Sequence, residues 1–188
     1  RNFRLRYEND KGEPTLEYRD KGYHYNLGVM PEETLAYPQQ IDLQADGVIP
    51  GNPEAYLRKI IVYCQEKNIG ITLFVNPIYE TQMLSTIEYD SYHRQVQAIA
   101  NEYGVPFYDF NLCKSEYLDI MHRENFADAG HLNSVGAELF TPFLWQVLSG
   151  DATANREYFC ESYEQKIMLD APETYGLYYT YEGDMREY

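Results

Sequence analysis

The apolar positions change period several times along the chain, and those changes mark out its elements. Phe3, Leu5 and Tyr7 alternate with Arg4 and Arg6, Asn9-Asp10-Lys11-Gly12 offers a turn, and Thr15 to Arg19 alternates again. Period-two alternation on both sides of a turn predicts a β-hairpin. From Lys21 to Gly51 no period is sustained, and Tyr, Pro, Gly and acidic residues dominate. This predicts a long irregular connection with a helical turn near Pro31-Glu32-Glu33. Such length is unusual inside a compact domain and points to a lid, an insertion, or a segment that leans on something outside this chain.

Regular order begins at Asn52. Asn52 as N-cap and Pro53 as first helical residue open a helix on which Leu57, Ile60, Ile61 and Cys64 recur at helical spacing, until Asn68-Ile69-Gly70 stops it. Ile71, Leu73, Phe74 and Val75, bounded by Gly70 and Asn76-Pro77, read as a short strand buried on both faces. Ser85 and Glu88 have capping-box spacing ahead of a helix lined by Tyr89, Tyr92, Val96, Ile99, Ala100 and Tyr103 and ended by Gly104. Val105 to Phe110 is the next short strand, with Pro106 acceptable at its beginning. A last helix carries Leu139, Phe140, Phe143, Leu144, Val147 and Leu148 on its buried side, and Pro142 predicts a kink in it. Helix and strand alternating in this order predict an α/β fold wound right-handedly on a parallel sheet.

Beyond Gly150 the composition shifts. Nine acidic residues against three basic ones give this stretch a net charge of −6, with seven tyrosines interspersed. Glu157 to Met168 is predicted as one amphipathic helix and Pro172 to Tyr188 as an extended arm, with too many aromatics for complete disorder. The chain therefore divides into a hairpin with an irregular insertion or lid over 1–51, an α/β core over 52–149, and an acidic, Tyr-rich C-terminal extension over 150–188.

The totals narrow the partners more than the fold. A chain of 188 residues suffices for one domain with a substantial core and a small appendage. Its 15 Lys plus Arg against 30 Asp plus Glu give a net charge of −15, which argues against nucleic acid or an anionic membrane as partner. No apolar run reaches bilayer-spanning length, and Arg1 to Tyr7 lacks the apolar block of a signal peptide. Cys64, Cys113 and Cys160 are too few and scattered for a disulfide framework or metal cluster, and Cys64 falls on an apolar helix face as a small buried hydrophobe. The 20 tyrosines supply half-buried amphipathic packing or stacking surfaces for sugars.

The candidate chemistry lies in Asp128-Ala129-Gly130-His131-Leu132-Asn133. A carboxylate beside an imidazole fixes its tautomer and stabilises its charged form when the far nitrogen takes a proton. The same spacing occurs at Asp90/His93 and Asp119/His122. Asp90 and His93 lie within a periodic helix and read as a solvated surface pair, whereas Asp119 and His122 sit where no period is clear. The third copy stands out by context: it lies between helical segments, contains Gly130, and is followed by Asn133, placed to cap the next helix. In parallel sheets working residues gather at the carboxyl ends of strands. Asn76 and Asp109 hold such positions and can share a crevice with His131. Asn76 is a substrate-binding candidate or a polar strand terminator, and Asp109 a crevice residue, a turn closer or a helix cap.

In their order, the Ile71-Thr72-Leu73-Phe74-Val75-Asn76-Pro77 strand, the Tyr92 to Gly104 helix, the Val105-Pro106-Phe107-Tyr108-Asp109 strand and the Asp128 to Asn133 block followed by Gly136-Ala137 resemble the C-terminal half of the SGNH (GDSL-type) hydrolase superfamily. The likeness covers roughly residues 53 to 148. It implies a three-layer, flavodoxin-like parallel-sheet winding, incomplete here on its N-terminal side. It also implies that His131 is the general base and Asp128 its orienting carboxylate. The family's G-D-S-like serine turn and G-x-N block are absent, and no serine of this chain has the setting of an activated nucleophile.

Two expectations follow from the resemblance. Either the chain is a piece of a larger esterase or O-acyltransferase acting on ester groups, such as those of cell-envelope polysaccharide outside the cytoplasm, or it is a non-catalytic carbohydrate-binding or protein-interaction module on the same scaffold. No cofactor is implied. A metal site is disfavoured because His24, His93, His122 and His131 form no close ligand pair of the HExxH kind. A sheet edge left open by missing strands would favour homo-oligomers.

Overall fold

The computed structural model describes residues 6–8, 14–20, 23–32, 49–80, 83 and 89–170. Within these the protein is a mixed α/β fold with four helices, short sheets and one parallel strand pair. The N-terminal strands β1 (Arg6–Glu8), β2 (Pro14–Asp20) and β3 (Tyr23–Asn26) form an antiparallel sheet in the order β1-β2-β3. The predicted hairpin is present and gains a third strand inside the stretch expected to be irregular. Tyr23 and Tyr25 favour strand structure, and a neighbouring edge was available to pair with, a circumstance that local pattern does not reveal.

Helix α1 (Gly51–Glu66) begins just before the predicted Asn52 cap: Pro50 holds the cap position and no side chain bonds there. The end is as predicted. Asn68 takes φ 54° and the amide of Ile69 donates to the Cys64 carbonyl at 2.8 Å, so an Asn in the left-handed region closes the helix. Strand β4 (Leu73–Val75) pairs in parallel with β5 (Phe107–Asp109), Leu73 opposite Phe107 and Val75 opposite Asp109. Between them runs α2 (Tyr89–Tyr103), ended at Gly104, whose φ of +62° a residue with a Cβ adopts only at a cost. The proposed Ser85/Glu88 capping box lies outside the described residues.

The core is built on this strand pair. Ile61 of α1, Ile99 and Ala100 of α2 and Val105 pack with Leu73 and Phe107. Tyr108, the next residue of β5, joins Phe110, Phe140 and Val147, where α3 (Ser134–Ser149) packs. Successive β5 side chains thus enter different clusters, as the pleat requires.

Several burial expectations fail here. Phe74 is 41 % exposed, so β4 is not covered on both faces. Ile60 of α1 and Leu139 and Leu148 of α3 are exposed, and Cys64 is half-buried. Periodicity identifies which face is apolar, but whether a partner covers it depends on the rest of the fold. Among the described residues β4 pairs with β5 alone.

The C-terminal extension also differs from the single helix expected over Glu157 to Met168. A 3₁₀ turn (Ala154–Tyr158) precedes α4 (Tyr163–Asp170), and the chain between them is extended. There Phe159 bridges to Cys113 and the Cys160 amide donates to the Leu112 carbonyl at 2.8 Å. Tertiary backbone pairing replaces helical bonds through this stretch. Asp90 then accepts from the Tyr163 amide at 2.7 Å, and buried Lys166 reaches the Cys113 carbonyl and Asp170, at 2.5 and 2.6 Å. The predicted arm over Pro172 to Tyr188 lies outside the described residues. No helix among the described residues is long and apolar enough to cross a membrane.

Candidate functional site

Asp128 and His131 close a very short hairpin, where the sequence predicts only a turn. Strand β6 (Phe126–Asp128) pairs antiparallel with β7 (His131–Leu132), Phe126 opposite Leu132 and Asp128 opposite His131. Residues 129 and 130 form the turn. Because the two residues are cross-strand partners, their side chains meet on one face. His131 Nδ1 lies 2.8 Å from Asp128 Oδ1, and the same oxygen accepts from the Gly130 amide at 2.8 Å. The carboxylate favours the tautomer with its proton on Nδ1, which leaves Nε2 outside this contact. His131 and Asp128 are 79 % and 59 % exposed at their side chains, so the ring stands at the surface and not in a packed interior.

The hairpin is exposed at its tip and anchored at its base. Phe126 is fully buried with Met30 and Tyr79, and the Tyr79 and Phe126 rings meet edge to face at 5.3 Å. The Met30 amide donates to the Phe126 carbonyl at 2.7 Å. Asn133 Oδ1 caps α3 by accepting from the Gly136 amide at 3.0 Å, as its position predicted. Its Nδ2 also donates to the carbonyls of Glu124 and Gly28, at 2.6 and 2.9 Å. One side chain, buried to 2 % exposure, thus joins the helix, the hairpin and the segment after β3.

The hairpin sits beside the carboxyl end of β4. Beyond that end, the Ile78 amide donates to Asn111 Oδ1 and the Tyr79 amide to the Ala129 carbonyl, both at 2.8 Å. Asn76 follows β4 with an exposed side chain, and its carbonyl accepts from Asn111 Nδ2 at 3.2 Å. Among the described residues, no hydrogen bond joins Asn76 to the Asp128–His131 pair. Nor does any described serine bond His131. Ser115 binds Asp170, Ser149 donates to the Trp145 carbonyl, and Ser134 is buried with its hydroxyl unpartnered.

Comparison of the chain with models of known families, with curated proteins and with solved structures finds no match.

The other two Asp-x-x-His pairs part company. His122 Nε2 meets Asp119 Oδ1 at 2.9 Å on the open surface. His93, expected to pair with Asp90 in solvent, instead places Nδ1 3.0 Å from Asp109 Oδ2, with the two side chains only 13 % and 2 % exposed. Asp90 is occupied at the start of α4. The Asp109 carboxylate also accepts from the Tyr89 hydroxyl at 2.8 Å and the Asn111 amide at 3.1 Å, where it caps the 3₁₀ turn Phe110–Leu112. Asp109 is thus a cap, one of its expected roles, and the centre of a buried polar cluster. Burial, then the neighbouring Asp109 charge, push the Tyr89 phenol well above its ordinary pKa, keeping it a donor. A signal for this cluster was present: Tyr89 and His93 are i and i+4 on the helix preceding the strand that ends in Asp109. Among the described residues, no group of three or more His, Cys, Asp or Glu side chains is placed to hold a metal.

Proposed function

We propose that Asp128 and His131 are the orienting carboxylate and general base of an ester-hydrolysing or acyl-transferring site of the SGNH type, whose serine nucleophile and oxyanion-hole donors lie outside the described residues. The observation that carries this reading is the exposed imidazole with Nδ1 held by a carboxylate and Nε2 facing solvent beside the carboxyl end of a parallel strand. In the reaction, Nε2 takes the proton from the serine hydroxyl as its oxygen attacks the ester carbonyl. It returns that proton to the leaving alcohol when the tetrahedral intermediate collapses. Asp128 keeps the proton on Nδ1 and stabilises the imidazolium formed in between. The finer fold proposed with it is a three-layer winding on a parallel sheet, supported by β5 side chains that enter the α1/α2 cluster and the α3 cluster in turn. In this proposal, further strands or a second copy of the chain cover the β4 side of the sheet, where Phe74 is exposed.

A second reading, a non-catalytic carbohydrate-binding or protein-interaction module, is favoured by one observation: no described serine bonds His131. The test that separates the two begins with the coding sequence that precedes Arg1. The enzyme reading requires a G-D-S-like turn and a G-x-N block there, and a stop codon or an unrelated domain refutes it. Residues 1–188 alone are expected to turn over p-nitrophenyl acetate no faster than their His131→Ala variant. Protein extended by the preceding segment is expected to turn it over and to lose about 10³-fold or more on the same substitution.

A further inference from the structure

A cleft of about 700 Å³, within the range of small-molecule sites, opens between α2, β5 and the C-terminal extension, and neither Asp128 nor His131 lines it. One wall is a single face of α2, presenting His93, Arg94, Gln97 and Asn101. Strand β5 contributes Phe107 and Asp109, and the C-terminal extension Arg156, Phe159 and Glu161.

Three features point to the occupant. First, the lining is rich in hydrogen-bond donors with few acceptors free. Arg94 and Arg156 bring guanidinium groups, and Gln97 Nε2 donates to Asn101 Oδ1 at 3.0 Å, leaving the Asn101 amide nitrogen as a donor. Asp109 is already filled by Tyr89, His93 and Asn111, which leaves Glu161 as the one lining carboxylate without such donors.

Second, neither Arg94 nor Arg156 forms an ion pair among the described residues, although the chain carries 30 acidic residues against 15 basic ones. Arg58 and Lys166, by contrast, each hold a carboxylate at 2.8 Å or less. Unpaired guanidinium groups brought to one cleft from two elements suit an incoming carboxylate or phosphate, which they can bind through paired N–H donors.

Third, the cleft is held in shape. Asp109 fixes the His93 ring, which lies 5.4 Å from Phe107, and Phe159 stacks on Tyr108 at 5.7 Å. These rings offer an apolar surface to the body of a ligand whose acid group faces the arginines.

We propose that this cleft is a binding site for a small organic anion, a phosphate ester or carboxylate with a ring or other apolar body, its acid group held by Arg94 and Arg156 and its body packed on the lining aromatics Phe107 and Phe159. The proposal uses no residue of the ester site, so the two readings can fail separately.

The test is a titration of the full chain, labelled with ¹⁵N, by phenyl phosphate, inorganic phosphate and neutral phenyl glucoside. Phenyl phosphate is expected to shift the amides of residues 93–101 and 105–109 saturably and to bind more tightly than either other probe. Arg94→Gln and Arg156→Gln are each expected to weaken it about tenfold or more. Arg58→Gln, on the α1 surface, is expected to leave binding unchanged. Both cleft arginines are exposed, and an unchanged amide spectrum verifies that the variants fold. The proposal is overturned if those amides show no saturable shift at millimolar probe, if phenyl glucoside binds equally well, or if Arg58→Gln weakens binding as much as the cleft variants.

Discussion

Asn133→Ala is the most informative single perturbation, because one amide side chain connects three parts of the structure. Its Oδ1 caps α3, and loss of such a cap costs about 1 kcal/mol. Its Nδ2 serves the Glu124 and Gly28 carbonyls, and orphaning two part-buried acceptors costs about 1 kcal/mol each, the low end for such groups. The sum is about 3 kcal/mol, a large part of the stability of an ordinary domain. With a urea slope of about 2 kcal/mol per molar, the unfolding midpoint followed by circular dichroism should fall by about 1.5 M. Asn133→Ser keeps a capping oxygen but lacks the amide donors, so it should recover only the cap, about 1 kcal/mol of the loss. If Asn133→Ala costs no more than Asn133→Ser restores, Asn133 is merely a helix cap, and the claim that it anchors the His131 hairpin to the segment after β3 is wrong.

Further outcomes follow from the same structure. A Cβ at Gly136 would overlap the Asn125 carbonyl oxygen and stand 2.9 Å from Leu132 Cδ2, so Gly136→Ala should destabilise by about 2 kcal/mol despite alanine's better helix propensity. Chemical unfolding measures this, and a neutral or stabilising effect would contradict the close approach of the 3₁₀ turn Arg123–Asn125 to α3. The Asp170 carboxyl is held below its ordinary pKa: burial acts against this, but the bonds from Lys166 and Ser115 outweigh it. A group depressed on folding stabilises the protein above the ordinary aspartate value of 3.8, and that contribution drains away as pH falls through the folded value. The stability gap between wild type and Asp170→Asn should therefore shrink on acidification, and a gap that widens between neutral pH and pH 3 in urea titrations would refute the assignment. Burial pushes the Cys113 thiol up to about 12, whereas Cys64 is only half-buried. Iodoacetamide should label Cys64 first in the native protein, and mass mapping that finds Cys113 labelled first would mean that its surroundings open readily.

Much of the fold was legible because local chemistry and global fold agree at those points. The α1 stop at Asn68, the α2 stop at Gly104, the two strand segments around Leu73 and Phe107, and the Asn133 cap each depend on residues within a few positions of one another. The Asp128–His131 contact was allowed by a spacing of three that Asp90 and His93 share without pairing, and the hairpin that brings the two side chains together was not foreseen.

What a sequence determines by itself is local: where helices start and stop, which face of each is apolar, and which charged neighbours can touch. Those terms act over a turn or a strand pair, and on that scale Asp90/His93, Asp119/His122 and Asp128/His131 are equivalent. Only the tertiary structure separates them. It seats Asp109 under His93, draws Asp90 to the start of α4 and leaves His131 at the surface, because buried polar groups must find partners wherever packing puts them. It likewise decides that Phe74, Ile60 and Leu139 stay exposed, since covering an apolar face takes a second surface that no periodicity along the chain can supply.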